Sequence, residues 1–179
     1  MNKATAAALL RKELKLSTSP LTPAFLAFTL MVFIPGYPVL VSVFFVCLGI
    51  FQSFQLARES GDIMFTALLP IRKRDVPRAK LLFVAFFQLL SVLLASVFTV
   101  IRLAFMSELP PYATNPLMPA CPTLIAFMLL VYAEFNFIFV RGFFRTAYRL
   151  GAPFIRFIIA AMLTVAVYEA LPHLPGLGF

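Results

Sequence analysis

Only a handful of residues in this chain have side chains able to do chemistry, and most of them stand apart. Glu134 and Asn136 lie inside an apolar run, where a charge at the bilayer centre costs about 2.5 to 3.5 kcal/mol, so Glu134 must face protein or water, or be protonated. Together they are the candidate polar patch on a transport path; the plainer expectation is that Glu134, two helical turns before Arg141, reaches the interface or pairs with a basic side chain. The single histidine, His173, has no Ser or Asp arrangement around it that would make a triad, and it reads as an interfacial side chain. Cys47 in an apolar run and Cys121 in a Pro-rich loop are too far apart for a disulfide. One His and two distant Cys do not supply a metal site, and no Gly-rich phosphate loop is followed by Lys. No catalytic residues, metal ligands or cofactor of the chain's own are therefore assigned.

A second group is denser. The stretch from Arg58 to Lys80 holds six of the fifteen Lys and Arg residues and three of the seven acids, Glu59, Asp62 and Asp75, between long apolar runs. Ile63-Met64-Phe65 and Ala67-Leu68-Leu69 give a short helix an apolar face, Pro70 ends it, and Arg72 to Arg78 form a basic knob. A basic lipid anchor accounts for the charge but not for the Glu/Gly/Asp start or the Leu-Leu-Pro centre. The candidate partner-binding residues are Arg58, Glu59, Asp62, Leu69, Pro70, Arg72, Arg74 and Lys80.

These residues need a scaffold, and composition fixes its class. With 62% hydrophobic residues, 22 Phe and a mean hydropathy of +0.98 over 179 residues, the chain has more apolar surface than one soluble core can hide. The expected fold is an all-α integral membrane protein: a helical bundle of about five transmembrane helices in a single transmembrane domain spanning residues 1–179. Residues 1–20 form an interfacial helix, with Lys3 and Glu13 falling on or near its apolar side. Residues 21–56 make a hairpin of spans (Leu21 to Ile34 and Val39 to Leu56) around Pro35-Gly36-Tyr37-Pro38, with a re-entrant hairpin as the alternative. Residues 57–80 are the charged segment. Residues 81–179 hold spans over Leu81 to Phe105, Thr123 to Val140 and Pro153 to Leu171, with Asp75 capping the helix that Pro77 enters.

Fourteen of the fifteen basic residues then fall on one side, which the positive-inside bias makes cytoplasmic, with the N-terminus. The net charge of +8 is thus explained by loops rather than by nucleic acid. Arg102 and Glu169, near outer helix ends, read as side chains reaching for headgroups, and Gln52, Gln55 and Gln88 as hydrogen-bonding links between helices. The Phe residues read as packing and lipid contact.

Glu59, Ser60, Leu69-Pro70, Arg72, Arg74, Val76 and Ala79-Lys80 resemble a pattern in the membrane subunits of type-2 ABC exporters, small bacterial permeases that work with a separate ATP-binding subunit. The likeness covers the first half of the chain well and the second half only by span layout. It implies that Arg58 to Lys80 is a coupling helix docking on the ATP-binding subunit, which would hold ATP and Mg and do the hydrolysis. It implies a homodimer or heterodimer of permeases, in contact with membrane lipids at the plasma membrane, moving an amphiphile such as a peptide, lipid or drug by alternating access. Five spans where such permeases have six imply a missing sixth helix. The competing readings are a self-contained channel or secondary transporter using Glu134, a membrane scaffold, and an intramembrane enzyme.

Overall fold

The computed structural model describes residues 3–68, 72–113 and 121–173. Among them the chain is all-α, a bundle of long apolar helices. Four helices are long and apolar enough to cross a membrane: Val41–Glu59, Asp75–Phe105, Pro122–Arg145 and Gly151–His173; a bent pair makes a fifth if it counts as one span. The protein is thus a multi-pass membrane protein.

The bent pair is α1 (Lys3–Lys12, extended by a π-helical turn over Glu13–Ser17) followed by α2 (Leu21–Leu26), which tightens into a 3₁₀ helix over Ala27–Phe33. Its two arms, Thr5–Ser17 and Leu21–Phe33, meet at 96°, a break that makes the pair either one broken span or a re-entrant loop. At 1.5 Å and 2.0 Å per residue the second arm rises about 23 Å, short of the roughly 30 Å of a bilayer core. Gly36 turns the chain at φ +71°, a conformation open to glycine, and α3 (Val41–Glu59) runs back along α2. The two helices approach closely because α3 has Gly49 at the crossing. A Cβ there would stand 3.0 Å from Phe25 Cβ and 3.2 Å from Thr22 Cα. Thr22 Oγ1 donates to Gly49 O at 2.6 Å and shares a hydrogen bond of 2.7 Å with Ser53 Oγ. Small and hydroxyl residues at a helix crossing are what membrane interiors use in place of a hydrophobic driving force.

A short α4 (Asp62–Leu68) precedes α5 (Asp75–Phe105), whose 31 residues span about 46 Å and so must overrun the hydrocarbon. This helix starts at Asp75, ahead of the apolar run from Leu81, with Pro77 in its first turn as expected, where a missing N–H costs nothing. The Asp75 side chain makes no cap; it is buried beside Arg78 at 3.5 Å, and the turn is closed by the Asp75 N–H on Arg72 O. After α6 (Pro110–Ala113), α7 (Pro122–Glu134) continues through a π-helical stretch over Phe135–Val140 into α8 (Arg141–Arg145). The basic segment expected as a loop from Arg141 is thus partly the last turn of a span. Finally α9 (Gly151–Ala170) carries a 3₁₀ turn at Leu171–His173.

The core is aromatic. Phe54, Phe135, Phe139, Phe143 and Phe157 are fully buried and join α3, α7, α8 and α9, with ring centroids 5.0 to 5.2 Å apart for Phe54 with Phe139, Phe54 with Phe143 and Phe135 with Phe157. Much of the Phe content is therefore interior packing, not the lining of a path. Between α8 and α9 the chain turns through Ala147 (φ 50°) and Tyr148 (φ 65°), two left-handed residues that are not glycine. The Tyr148 N–H bonds Phe143 O at 2.9 Å and its ring packs on Phe143 and Phe144, contacts that hold the strained turn.

Two stability changes follow. Ala147→Gly relieves about 1 kcal/mol of left-handed strain and should raise the Tm of the detergent-solubilised protein. Gly49→Leu, which must push Phe25 and the Thr22 backbone aside, should lower it through about 1–3 kcal/mol of overpacking. Both are read by thermal unfolding in one detergent.

Candidate functional site: a buried ion network beneath an apolar helix

The charged segment is anchored from below. Glu13, only 2% exposed, lies on the inner side of the α1 extension and meets the Lys80 ammonium at 2.5 Å; the Lys80 side chain is 4% exposed. The same ammonium stands 5.6 Å and 5.7 Å from the rings of Phe54 and Phe83, which supply cation–π contacts in place of water. Lys12, beside Glu13, bonds the Asp62 carboxylate at 2.5 Å and donates to Thr66 Oγ1 at 2.6 Å. Ser17 Oγ adds a hydrogen bond to Asp62 at 2.7 Å. Two cations and two anions thus tie α1, α4 and the first turns of α5 together with no net charge. A buried pair of this kind is neutral as a unit and costly to halve.

Burial by itself pushes the Asp62 carboxyl up, but hydrogen bonds from Lys12 and Ser17 and the charges of Lys12 and Lys80 outweigh it and hold the group below its ordinary value. A depressed carboxylate contributes stability that is present above the unfolded value and lost as pH falls through the folded one.

The network turns α4 over. Asp62 and Thr66 face inward, while Met64, Phe65 and Leu68 are 70%, 58% and 79% exposed. A helix that buries its polar side and shows its apolar side is unfinished as a monomer in water. Arg58 and Glu59 at the end of α3 are exposed, and Glu59 accepts from Gln55 at 3.1 Å. Arg72, Lys73 and Arg74 are exposed around a cavity of about 500 Å³ that Asp75 and Arg78 complete. Of the expected partner-binding residues, Asp62 and Lys80 are structural members of the network, and Arg58, Glu59, Arg72 and Arg74 are surface groups. Leu69 and Pro70 lie outside the described residues.

Glu134 and Asn136, the residues expected on a transport path, bond different helices. Two residues apart, they are turned by about 200° and point to different neighbours. Thr164 Oγ1 on α9 donates to Glu134 Oε1 at 2.5 Å, while Glu134 Oε2 is buried with no hydrogen-bond partner among the described residues. The basic partner expected for Glu134 is therefore replaced by a threonine. Asn136 instead exchanges two hydrogen bonds with Gln88 on α5, at 3.2 Å and 2.9 Å, so that Gln88 joins helices as expected. Arg102 is the clearest correction: it is buried rather than reaching for headgroups. It donates to Val32 O at 2.6 Å and stacks 4.9 Å over Tyr112, whose hydroxyl donates to Phe33 O. The 3₁₀ arm ends at Phe33 and leaves carbonyls open; the cation and the phenol satisfy them.

Among the described residues no group of three or more His, Cys, Asp or Glu side chains could hold a metal. No family model, no curated protein and no solved structure matches this chain.

Lys80→Met should cost about 3–5 kcal/mol, because it leaves two largely buried carboxylates, Glu13 and Asp62, to share Lys12 as their one cation in the network, whereas adding Glu13→Leu should restore most of that loss. Denaturant titration of the two variants beside wild type checks this. Protection of the Lys3–Ser17 amides against hydrogen exchange, taken relative to the intrinsic rate at each pH, should be constant between about pH 5 and 8 and should fall below about pH 4, as Asp62 takes up its proton and releases Lys12.

Proposed function

We propose that this chain is the membrane-spanning subunit of a type-2 ABC exporter. The observation that carries the reading is α4, locked to α1 and its extension through Asp62 and Thr66 while Met64, Phe65 and Leu68 are exposed, as are Arg72, Lys73 and Arg74 a few residues on. Such an element suits transmission. An apolar ridge fills a cleft on a soluble partner, a basic flank steers an acidic surface toward it, and the buried ions beneath pass any displacement to α1 and α5. The partner is a separate ATP-binding subunit, which holds ATP and Mg and does the hydrolysis. This chain contributes the path and the coupling surface and does no chemistry of its own.

On this reading the basic end of the bundle is cytoplasmic, in a bacterial plasma membrane, and two permease subunits alternate access around a shared axis. ATP-driven closure of the partner subunits rocks α5 and α1 as one piece, because breaking Glu13 from Lys80 is costly. The cargo is an amphiphile. A second reading, a self-contained transporter, is favoured by the unpartnered Glu134 Oε2 at the start of the π-helical stretch, since such stretches frequently mark functional sites.

Co-expression with an ATP-binding protein encoded beside the gene separates the two. The exporter reading expects a stable detergent complex with ATPase activity. Arg72→Glu/Arg74→Glu should weaken the complex, more at low salt than at high, and Met64→Ser/Leu68→Ser should weaken it at any salt. No complex in wild type, together with transport by the chain alone that Glu134→Gln abolishes, would overturn it in favour of the second reading.

A further inference from the structure

Beside α7, on the side away from Glu134, two cavities of about 700 Å³ and 270 Å³ share Ala133 and Asn136 and so form one groove against α5. Leu81, Phe137 and Val140 line its charged end, and Leu89, Val92 and Leu129 its deep end. The amides of Gln88 and Asn136, midway along, bond each other in both directions, which leaves one N–H on each. No acid lines the groove. At its mouth stand Arg141 and Arg145, one helical turn apart on the same face, both exposed and neither in an ion pair among the described residues. Arg141 lies 4.7 Å over the Phe137 ring, which orients its guanidinium at the rim.

We propose that this groove binds an anionic phospholipid, its phosphate on Arg141 and Arg145 and an acyl chain running inward past Ala133 to Leu129. The dimensions agree with one leaflet: twelve residues of helix from Arg141 to Leu129 rise about 18 Å, against about 15 Å for half a bilayer core. Two unpaired guanidiniums at headgroup level select negative charge, since a phosphate accepts their forked donors while zwitterionic headgroups offer no net attraction. A second copy of the chain fits less well. A two-fold axis along the membrane normal sets Arg141 and Arg145 at the same depth as their counterparts, like charge against like. The site stands whether or not the ATPase reading holds, because it needs only the bundle and its lipid.

Native mass spectrometry of the delipidated protein, titrated with phosphatidylglycerol or phosphatidylcholine of matched chains, tests it. Wild type should retain phosphatidylglycerol preferentially, and Arg141→Gln/Arg145→Gln should reduce that preference about tenfold or more. Ala133→Phe, which fills the groove from an exposed position, should lower retention of both lipids. Arg11→Gln/Lys15→Gln, exposed basic residues elsewhere, should change nothing. Equal retention of the two lipids by wild type would overturn the proposal, as would phosphatidylglycerol preference surviving in the double arginine variant. So would a dimer that Ala133→Phe dissociates without altering lipid retention.

Discussion

Four charges withdrawn from water at one end of the bundle set the terms for everything near them. Glu13 and Lys80 are almost wholly buried, and each would cost several kcal/mol alone. With Lys12 and Asp62 they form a neutral set that is tolerable only if all four stay in place. That condition fixes α1 against α5, fixes the inner face of α4, and leaves the apolar side of α4 no choice but to point out. An exposed ridge of Met64, Phe65 and Leu68 is thus the consequence of burying polar groups beneath it.

The two ends of the bundle are built differently. At the charged end ion pairs hold α1, α4 and α5, and an aromatic core holds α3, α7, α8 and α9. At the other end the first arm is a 3₁₀ helix with poorer internal hydrogen bonding, finished by Arg102 and Tyr112 on the carbonyls of Val32 and Phe33. Between them the polar contacts among the described residues are modest, such as Gln88 with Asn136, Tyr132 with Ser91 and Thr164 with Glu134. Interhelical hydrogen bonds of this kind contribute about 1 kcal/mol or less each in a bilayer, so aromatic packing carries most of the cohesion. A piece that is stiff at one end and lightly joined in the middle is suited to rocking.

The all-α membrane fold was legible in the sequence because apolar runs of span length need no tertiary knowledge to be recognised. The boundaries moved outward by a few residues where basic side chains simply extended a helix, as Arg141 to Arg145 do. The divergence of Glu134 from Asn136 follows from helical geometry alone, since two residues turn the helix by about 200°. The ion network was only half legible. A charge such as Glu13 on the apolar side of an amphipathic helix signals a buried partner, but nothing local names Lys80 as that partner. Arg102 was opaque for a different reason: its role depends on a 3₁₀ ending, and on which carbonyls that ending leaves open.

The central claim is that the apolar face of α4 is a docking surface for a soluble ATP-binding partner. Labelling Phe65→Cys with a membrane-impermeant maleimide in proteoliposomes tests it most directly, in a background where Cys47 and Cys121 are replaced by alanine. The account predicts rapid labelling of the chain alone and protection when the ATP-binding subunit is added. A site already shielded by lipid in the absence of the partner, or one labelled equally in its presence, would contradict it.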